Sequence, residues 1–145
     1  LVESSLTLSE KKWGALVVIQ RETGLRSYKD AGIQLKAEIS TPLVISIFNP
    51  ESPMHDGAII LQNTLIEAAG CILPLTESQM ILPDMGTRHR AALGISEESD
   101  AIVIIVSEEK GSILTAENGR FTHLDHDEMT LRRYLNERLF ISSGD

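Results

Sequence analysis

Residues 54–58, Met-His-Asp-Gly-Ala, place an imidazole and a carboxylate just before an apolar run. His55 and Asp56 are residue types that can share a divalent cation, and Gly57 would let a ligand approach the backbone closely. An Asp-Gly pair is also a common turn, and a histidine beside it is often only exposed. Taken alone, the segment favours a simple turn, and the cation site is the more specific hypothesis.

A second polar segment, Gly-Thr-Arg-His-Arg at residues 86–90, is the one dense basic cluster in the sequence. It falls at the predicted start of a helix, where free backbone amides and the helix dipole favour an anion. The Thr87 hydroxyl and the guanidiniums of Arg88 and Arg90 would add to that attraction, which suits a phosphate. A helix start with a solvated basic turn explains these residues equally well.

The third candidate is Ser107-Glu108-Glu109, which directly follows the apolar run at residues 101–106. Carboxylates at the end of a strand commonly do no more than solvate the chain as it leaves the sheet. In α/β folds, however, ligands usually bind at strand ends. The three segments could therefore meet in one cleft.

Short apolar runs predict the strands that hold these segments. They lie at residues 14–20, 58–62, 65–73 and 101–106, with a weaker pair at 112–116 and 120–123. The short connection at Asn63 and Thr64 indicates an antiparallel hairpin. The run at 101–106 is apolar at every position, which is typical of a strand covered on both faces.

Three helices are predicted, at residues 41–48, 86–98 and 125–140. Thr41 is expected to cap the first of them, with Pro42 in its first turn. The resulting fold class is α/β: a single domain in which a mixed β-sheet is flanked by helices on both faces.

Length and composition set the outer limits of the interpretation. The chain has 145 residues, 42% of them hydrophobic, which suits one domain with its own core. We expect a helical N-terminal remnant at residues 1–12, the functional domain at 13–140 and a polar tail at 141–145. The single cysteine, Cys71, cannot form an internal disulfide, and this favours a cytoplasmic location.

The net charge of −8 argues against nucleic acid as a partner, because a protein that neutralises many phosphates normally has a basic face. The sequence also has no apolar stretch of the roughly 18 residues that a membrane helix needs. We therefore expect no direct membrane contact from this chain, although a longer parent protein could be membrane-anchored. A P-loop and a GxGxxG sequence are both absent.

The ordered set of these motifs resembles the diadenylate cyclase (DAC) domain family, the bacterial cyclic di-AMP synthases. The resemblance rests on GALVVIQRETG at residues 14–24, HDGA at 55–58, GTRHRAA at 86–92 and the Ser-Glu-Glu segment at 107–109. It extends over roughly residues 13–140. Each motif is weak alone, but their order and spacing are specific.

The resemblance implies a role for each candidate residue. Asp56 would activate or position the attacking ribose hydroxyl, and Arg88, His89 and Arg90 would hold and polarise the triphosphate. The ATP-binding residues would be Gly57, Ala58, Ile72, Leu73, Gly86, Thr87, Ser107 and Glu108. His55, Asp56 and Glu109 would bind the divalent cation, Mg²⁺ or Mn²⁺.

The predicted adenine pocket departs from the family pattern. Many relatives have an aromatic residue where this chain has Cys71, Ile72 and Leu73. We therefore expect apolar packing and backbone hydrogen bonds, rather than stacking, to select adenine.

The implied reaction joins two ATP molecules into cyclic di-AMP with loss of two pyrophosphates. Since one cleft of this size holds one ATP, the resemblance also implies face-to-face dimers and larger homo-oligomers. The alternative is a nucleotide or cyclic dinucleotide sensor without turnover, and a third possibility is a structural oligomerisation domain. Metal-dependent consumption of ATP would separate the enzyme from both.

Overall fold

The computed structural model describes residues 1–79, 85–124 and 127–139. Helices and strands follow one another along the chain as α1 (Val2–Lys11), β1 (Ala15–Ile19), α2 (Arg26–Asp30), β2 (Ile33–Glu38), α3 (Thr41–Phe48), β3 (Ala58–Gln62), β4 (Leu65–Cys71), α4 (Thr87–Glu98), β5 (Ile102–Val106), β6 (Ile113–Glu117), β7 (Arg120–Leu124) and α5 (Glu128–Leu139).

The strands form one mixed sheet, which has seven strands within the described ranges, in the order β2-β4-β3-β1-β5-β6-β7. β1 and β3 run parallel, and every other neighbouring pair is antiparallel. The predicted α/β class and the hairpin between β3 and β4 are both confirmed. The predicted strand at residues 65–73 ends two residues early, at Cys71.

Alternating side chains of the central strands build a core on each face of the sheet. In β1, Val17 belongs to the core cluster that also contains residues of α1, α3 and α5. Leu16 and Val18 point to the opposite face and belong to the cluster that contains Ala91 and Ile95 of α4. The period of two along a strand thus requires helices on both sides of the sheet.

The predicted cap of α3 is wrong by one residue. Ser40, in an extended conformation, is the N-cap, and its side chain accepts a hydrogen bond from the Leu43 amide over 3.3 Å. Thr41 is the first helical residue and Pro42 follows it in the first turn, where the missing proline amide is not needed.

Two elements were not predicted from the sequence. β2 lies at the edge of the sheet, its residues are exposed or half-buried, and its pairing with β4 is interrupted by a bulge. Lys36 has a φ of 51° at that bulge. The sequence of β2, Ile-Gln-Leu-Lys-Ala-Glu, does alternate apolar and polar residues, but none of its side chains is buried. α2 is only five residues long and has no buried residue.

The last helix begins at Glu128, after Asp127, whose carboxylate accepts hydrogen bonds from the Met129 amide and the Thr130 hydroxyl over 3.1 and 2.8 Å. The predicted ends of this helix, at residues 125 and 140, lie outside the described residues. None of the helices described is both long and apolar enough to cross a membrane.

Candidate active site

A cleft of about 720 Å³ opens at one end of the central strands. β1 and β3 begin at this end. β4 and β5 run antiparallel to them and finish there. The register pairs Ala15 with Val106 and Ala58 with Cys71 at the same end. Loops that are far apart in the sequence therefore meet around one opening.

Most of the residues predicted for the site line this cleft. They are Asp56, Gly57, Ile72, Leu73, Gly86, Thr87, Arg88, His89, Ser107, Glu108 and Glu109. Three predicted residues are not part of its wall: His55, Ala58 and Arg90. The three polar segments thus do converge, as their positions at strand and helix ends suggested.

Gly57 is the residue that lets the chain pass close beneath the cleft. Its φ is +97°, and a Cβ atom there would lie 2.8 Å from the carbonyl carbon of Gly70 on the neighbouring strand. No other residue fits this position without displacing the backbone. The tight passage leaves the Asp56 side chain projecting outward, with 88% of it exposed. Ala58, the next residue, is fully buried in the core below.

His55 lies beside Asp56 with its ring orientation fixed. Its Nδ1 lies 2.7 Å from the carbonyl oxygen of Ser52, and since a carbonyl only accepts, Nδ1 donates. In the neutral ring this leaves the lone pair on Nε2, which is 3.5 Å from Oδ1 of Asp56. An imidazole whose other nitrogen donates to a backbone carbonyl is the usual arrangement of a metal-binding histidine.

These two side chains fit a cation that completes its shell with substrate oxygens. No group of three or more His, Cys, Asp or Glu side chains that could hold a metal ion occurs among the residues described. Glu109 lines the cleft but does not join His55 and Asp56 in such a group. Mg²⁺ is commonly held by one or two protein groups together with substrate phosphates. The donor set matches that kind of site.

The N-terminus of α4 forms the basic side of the cleft. Gly86 is the N-cap and has no side chain to occupy the first amides of the helix. Gly86, Thr87 and Arg88 line the opening, so the start of the helix lies at the cleft wall, as in many phosphate sites. The Thr87 side chain is exposed there. Nη1 of Arg88 lies 3.4 Å from a carboxylate oxygen of Glu108, which links α4 to the loop after β5.

Arg90 does not reach the cleft because of helical geometry. It follows Arg88 by two positions, which rotates its side chain by about 200° around the helix axis. Its side chain is exposed, and its carbonyl accepts a hydrogen bond from the Thr76 amide over 3.0 Å. His89 lies between the two; it is buried and packs edge-on against Phe121 with ring centroids 6.1 Å apart.

The other side of the cleft is apolar. Ile72, Leu73 and Leu75 line it. Ile72 is 81% exposed and Leu75 is 54% exposed, whereas Leu73 is buried. Burial raises the pKa of the Cys71 thiol to about 11, so this thiol is an apolar part of the wall at neutral pH. The sequence did not predict several further apolar lining residues: Leu16, Leu75, Met85, Ala91 and Val106. Leu16 and Val106 could have been predicted, because both lie in predicted strands, near the ends that face the cleft.

Comparison with known proteins agrees with this geometry. A family model described as DisA bacterial checkpoint controller nucleotide-binding (DAC) matches residues 2–121. The chain is 48% identical over 128 residues to the cyclic di-AMP synthase CdaA of Bacillus subtilis, an alignment that covers 88% of this chain and 46% of that protein. It is 37% identical over 145 residues to the diadenylate cyclase of Mycoplasma pneumoniae, covering 99% and 71%.

Two solved structures are similar over most of the chain. The crystal structure of a double mutant of DacA from Staphylococcus aureus matches with a TM-score of 0.92 and 42% identity, covering 96% of this chain and 92% of that one. A hypothetical membrane spanning protein from Bacillus cereus matches with a TM-score of 0.78 and 44% identity, covering 85% and 60%. The chain spans about half the length of the Bacillus subtilis and Listeria monocytogenes relatives that it matches.

Proposed function

Because the chain belongs to the DAC family of DisA bacterial checkpoint controller nucleotide-binding domains, we propose that it is a diadenylate cyclase, which condenses two ATP molecules into cyclic di-AMP and releases two pyrophosphates. The observation that carries the proposal is one cleft whose wall combines the Asp56 carboxylate, the basic start of α4 and an apolar side. Relatives named for this activity support the same assignment.

The start of α4 is proposed to hold the triphosphate. The backbone amides of Thr87 and Arg88 and the Thr87 hydroxyl donate hydrogen bonds to phosphate oxygens, and Arg88 adds a fixed positive charge. Ser107 donates from the opposite loop. Glu108 pairs with Arg88, so its role is to orient that guanidinium rather than to contact a phosphate directly.

Asp56 is proposed to act at the ribose hydroxyl. The 3′-hydroxyl oxygen of one ATP forms a bond to the α-phosphorus of the second, the bond to the pyrophosphate oxygen breaks, and the hydroxyl proton passes to solvent. The same step with the roles of the two nucleotides exchanged closes the ring and releases the second pyrophosphate. Asp56 and His55 would hold a divalent cation, Mg²⁺ or Mn²⁺, which when bound neutralises phosphate oxygens and makes the hydroxyl more acidic. The carboxylate also orients the hydroxyl for attack in line with the leaving group.

The apolar wall is proposed to hold adenine. Ile72 and Leu75 are exposed apolar side chains at the cleft. A flat base that covers them removes apolar surface from water, which favours binding. Backbone groups beside Leu73 can hydrogen-bond the edge of the base. No Phe, Tyr or Trp is among the lining residues described, and the ring of His89 is buried, so apolar packing replaces stacking here.

Two protomers are needed for the complete reaction in this proposal. The cleft holds one ATP, and ring closure needs two nucleotides whose reacting groups face each other. Face-to-face dimers, within larger homo-oligomers or alone, would bring two such clefts together. The proposed domain spans residues 13–140 and works in the cytoplasm, where ATP is available. A membrane-anchored parent protein would be in keeping with the Bacillus cereus neighbour, which is named as a membrane spanning protein.

The test is incubation of the purified chain with ATP and Mn²⁺, with and without EDTA, followed by chromatography and mass measurement of the products. We expect cyclic di-AMP and pyrophosphate, both lost with EDTA. Binding of ATP without any product, at protein concentrations where the chain is dimeric, would contradict the proposal and favour the sensor.

A further inference from the structure

Gly14 lies directly beneath the guanidinium of Arg88. It immediately precedes β1 and is buried. A Cβ atom at this position would lie 2.5 Å from Nη1, 2.6 Å from Cζ and 3.0 Å from Nε of Arg88. Carbon atoms in proteins do not approach other heavy atoms this closely. The recess above Gly14 therefore exists only because the residue has no side chain.

The backbone does not explain why glycine occupies this position. The glycines with a left-handed φ are Gly57, Gly70, Gly111 and Gly119, and Gly14 is not among them. The left-handed backbone conformation that favours glycine is therefore not the reason for glycine at position 14. What an alanine would change is the space that the Arg88 guanidinium occupies.

The rest of the Arg88 head group is also constrained. Nη1 contacts the Glu108 carboxylate at 3.4 Å, and 22% of the side chain is exposed. Nε is buried and has no hydrogen-bond partner among the described residues. Because Nε is closed to solvent, an anion bound in the cleft would be contacted by the exposed part of the Arg88 side chain and not by Nε.

We propose that Gly14 is a positioning residue: its recess seats the Arg88 guanidinium flat against the start of β1, with its donors held for the triphosphate. The inference rests on the proposed function, since the anion that Arg88 binds is there the triphosphate of ATP. Gly14 itself does not touch the nucleotide in this arrangement. Its effect passes entirely through the orientation of Arg88.

The experiment compares Gly14→Ala with the matched control Gly24→Ala, at which an added Cβ meets no atom within 4 Å. Affinities for ATP and for adenosine are measured by displacement of a fluorescent nucleotide, and folding by circular dichroism. We expect Gly14→Ala to bind ATP about tenfold more weakly, because a charge-assisted hydrogen bond is lost. Adenosine affinity should stay at the wild-type value, and Gly24→Ala should match wild type in both.

Arg88→Ala and the double variant Gly14→Ala/Arg88→Ala complete the cycle. If Gly14 acts through Arg88, alanine at position 14 has no further effect on ATP affinity once Arg88 is gone. Equal losses in both backgrounds, equal weakening of adenosine, or an unfolded Gly14→Ala would overturn the inference. If Arg88→Ala binds ATP with normal affinity, both the role of Gly14 and the phosphate-binding role of Arg88 are overturned. If Arg88→Ala binds ATP more weakly but Gly14→Ala does not, only the role of Gly14 is overturned.

Discussion

Asp56 contributes charge to the cleft and almost nothing to packing. Its side chain is 88% exposed, and the neighbour that holds the loop shape is Gly57, through its positive φ. His55, by contrast, is fixed by its hydrogen bond to Ser52. A substitution that keeps the size of Asp56 but removes its charge should therefore separate chemistry from folding.

We predict that Asp56→Asn lowers the rate of cyclic di-AMP formation by a factor of at least about 10². The same variant should keep a free energy of unfolding within about 0.5 kcal/mol of wild type. Product analysis and urea denaturation would measure the two effects. Asp30→Asn is the matched control, since Asp30 is also exposed, lies in α2 and is not among the residues that line the cleft. Unfolding of Asp56→Asn would assign Asp56 a structural role instead.

Single residues show clearly where sequence reasoning succeeds and where it ends. Asp56 and Arg88 were identified because a carboxylate and a guanidinium stood at predicted element ends within recognisable motifs. Arg90 belonged to the same motif, yet its side chain lies on another face of α4. Gly14 begins the motif at residues 14–24, but no role was predicted for it, because its proposed role depends on a distance to Arg88, a residue 74 positions away, which no local pattern contains.

At the scale of elements, Asp100 connects two loops at the end of the strands opposite the cleft. Its carboxylate accepts hydrogen bonds from the Glu22 and Thr23 amides over 3.0 and 2.9 Å. The turn after β1 is thereby fixed to the turn before β5, its antiparallel neighbour in the sheet. Burial alone would raise the pKa of Asp100, but these backbone hydrogen bonds outweigh it and hold the pKa below its ordinary value of 3.8.

Asp100→Ala should therefore lower the free energy of unfolding by about 1 kcal/mol at pH 7. A group whose pKa is lower in the folded state stabilises the fold above its unfolded pKa and loses that effect as the pH falls through the folded value. The difference between wild type and variant should thus be constant down to about pH 5 and shrink below pH 3.8. Urea denaturation at pH 7, 5 and 3 would measure this.

The control for this prediction is Asp30→Ala, because Asp30 makes only an exposed ion pair with Arg26 at 3.7 Å. Such a pair is worth less than about 0.5 kcal/mol. A loss in Asp100→Ala that is as large at pH 3 as at pH 7 would show that packing, and not the ionised carboxylate, stabilises the two turns.

Strands that are apolar at nearly every position were predicted well, and β2 was not. The runs at residues 58–62 and 101–106 became buried strands because the sheet is covered on both faces, so side chains on either face enter a core. β2 alternates apolar and polar residues over only six positions, and it lies at the sheet edge, where none of its side chains is buried. The predicted cap at Thr41 was wrong because Ser40 and Thr41 offer equivalent hydroxyls, and only the backbone conformation decides between them.

At the scale of the whole molecule, the cleft of one chain accommodates one nucleotide in the proposed function. We predict that the specific activity falls as the enzyme is diluted through the concentration at which sedimentation shows dimers giving way to monomers. The physical reason is mass action, since only the associated form brings two bound ATP molecules together.

The dilution experiment is read against ATP binding measured over the same concentrations. Binding should persist in the monomer, because every residue proposed to hold one ATP belongs to the same chain. Constant specific activity in a range where sedimentation finds only monomers would contradict a reaction that needs two protomers.

The sheet divides the core into two clusters, and substitutions in the two clusters should have different effects. Val44, Phe48 and Leu131 pack on the face that carries α1, α3 and α5, while Leu16 and Ala91 pack on the other and also line the cleft. Variants of the α1, α3 and α5 residues on the first face should alter the melting temperature with little change in turnover. Val106 is excepted, because it packs on the same face but also lines the cleft. Evolution or a laboratory search for heat-resistant forms can therefore explore these helices widely, while the residues that line the cleft must change far more slowly.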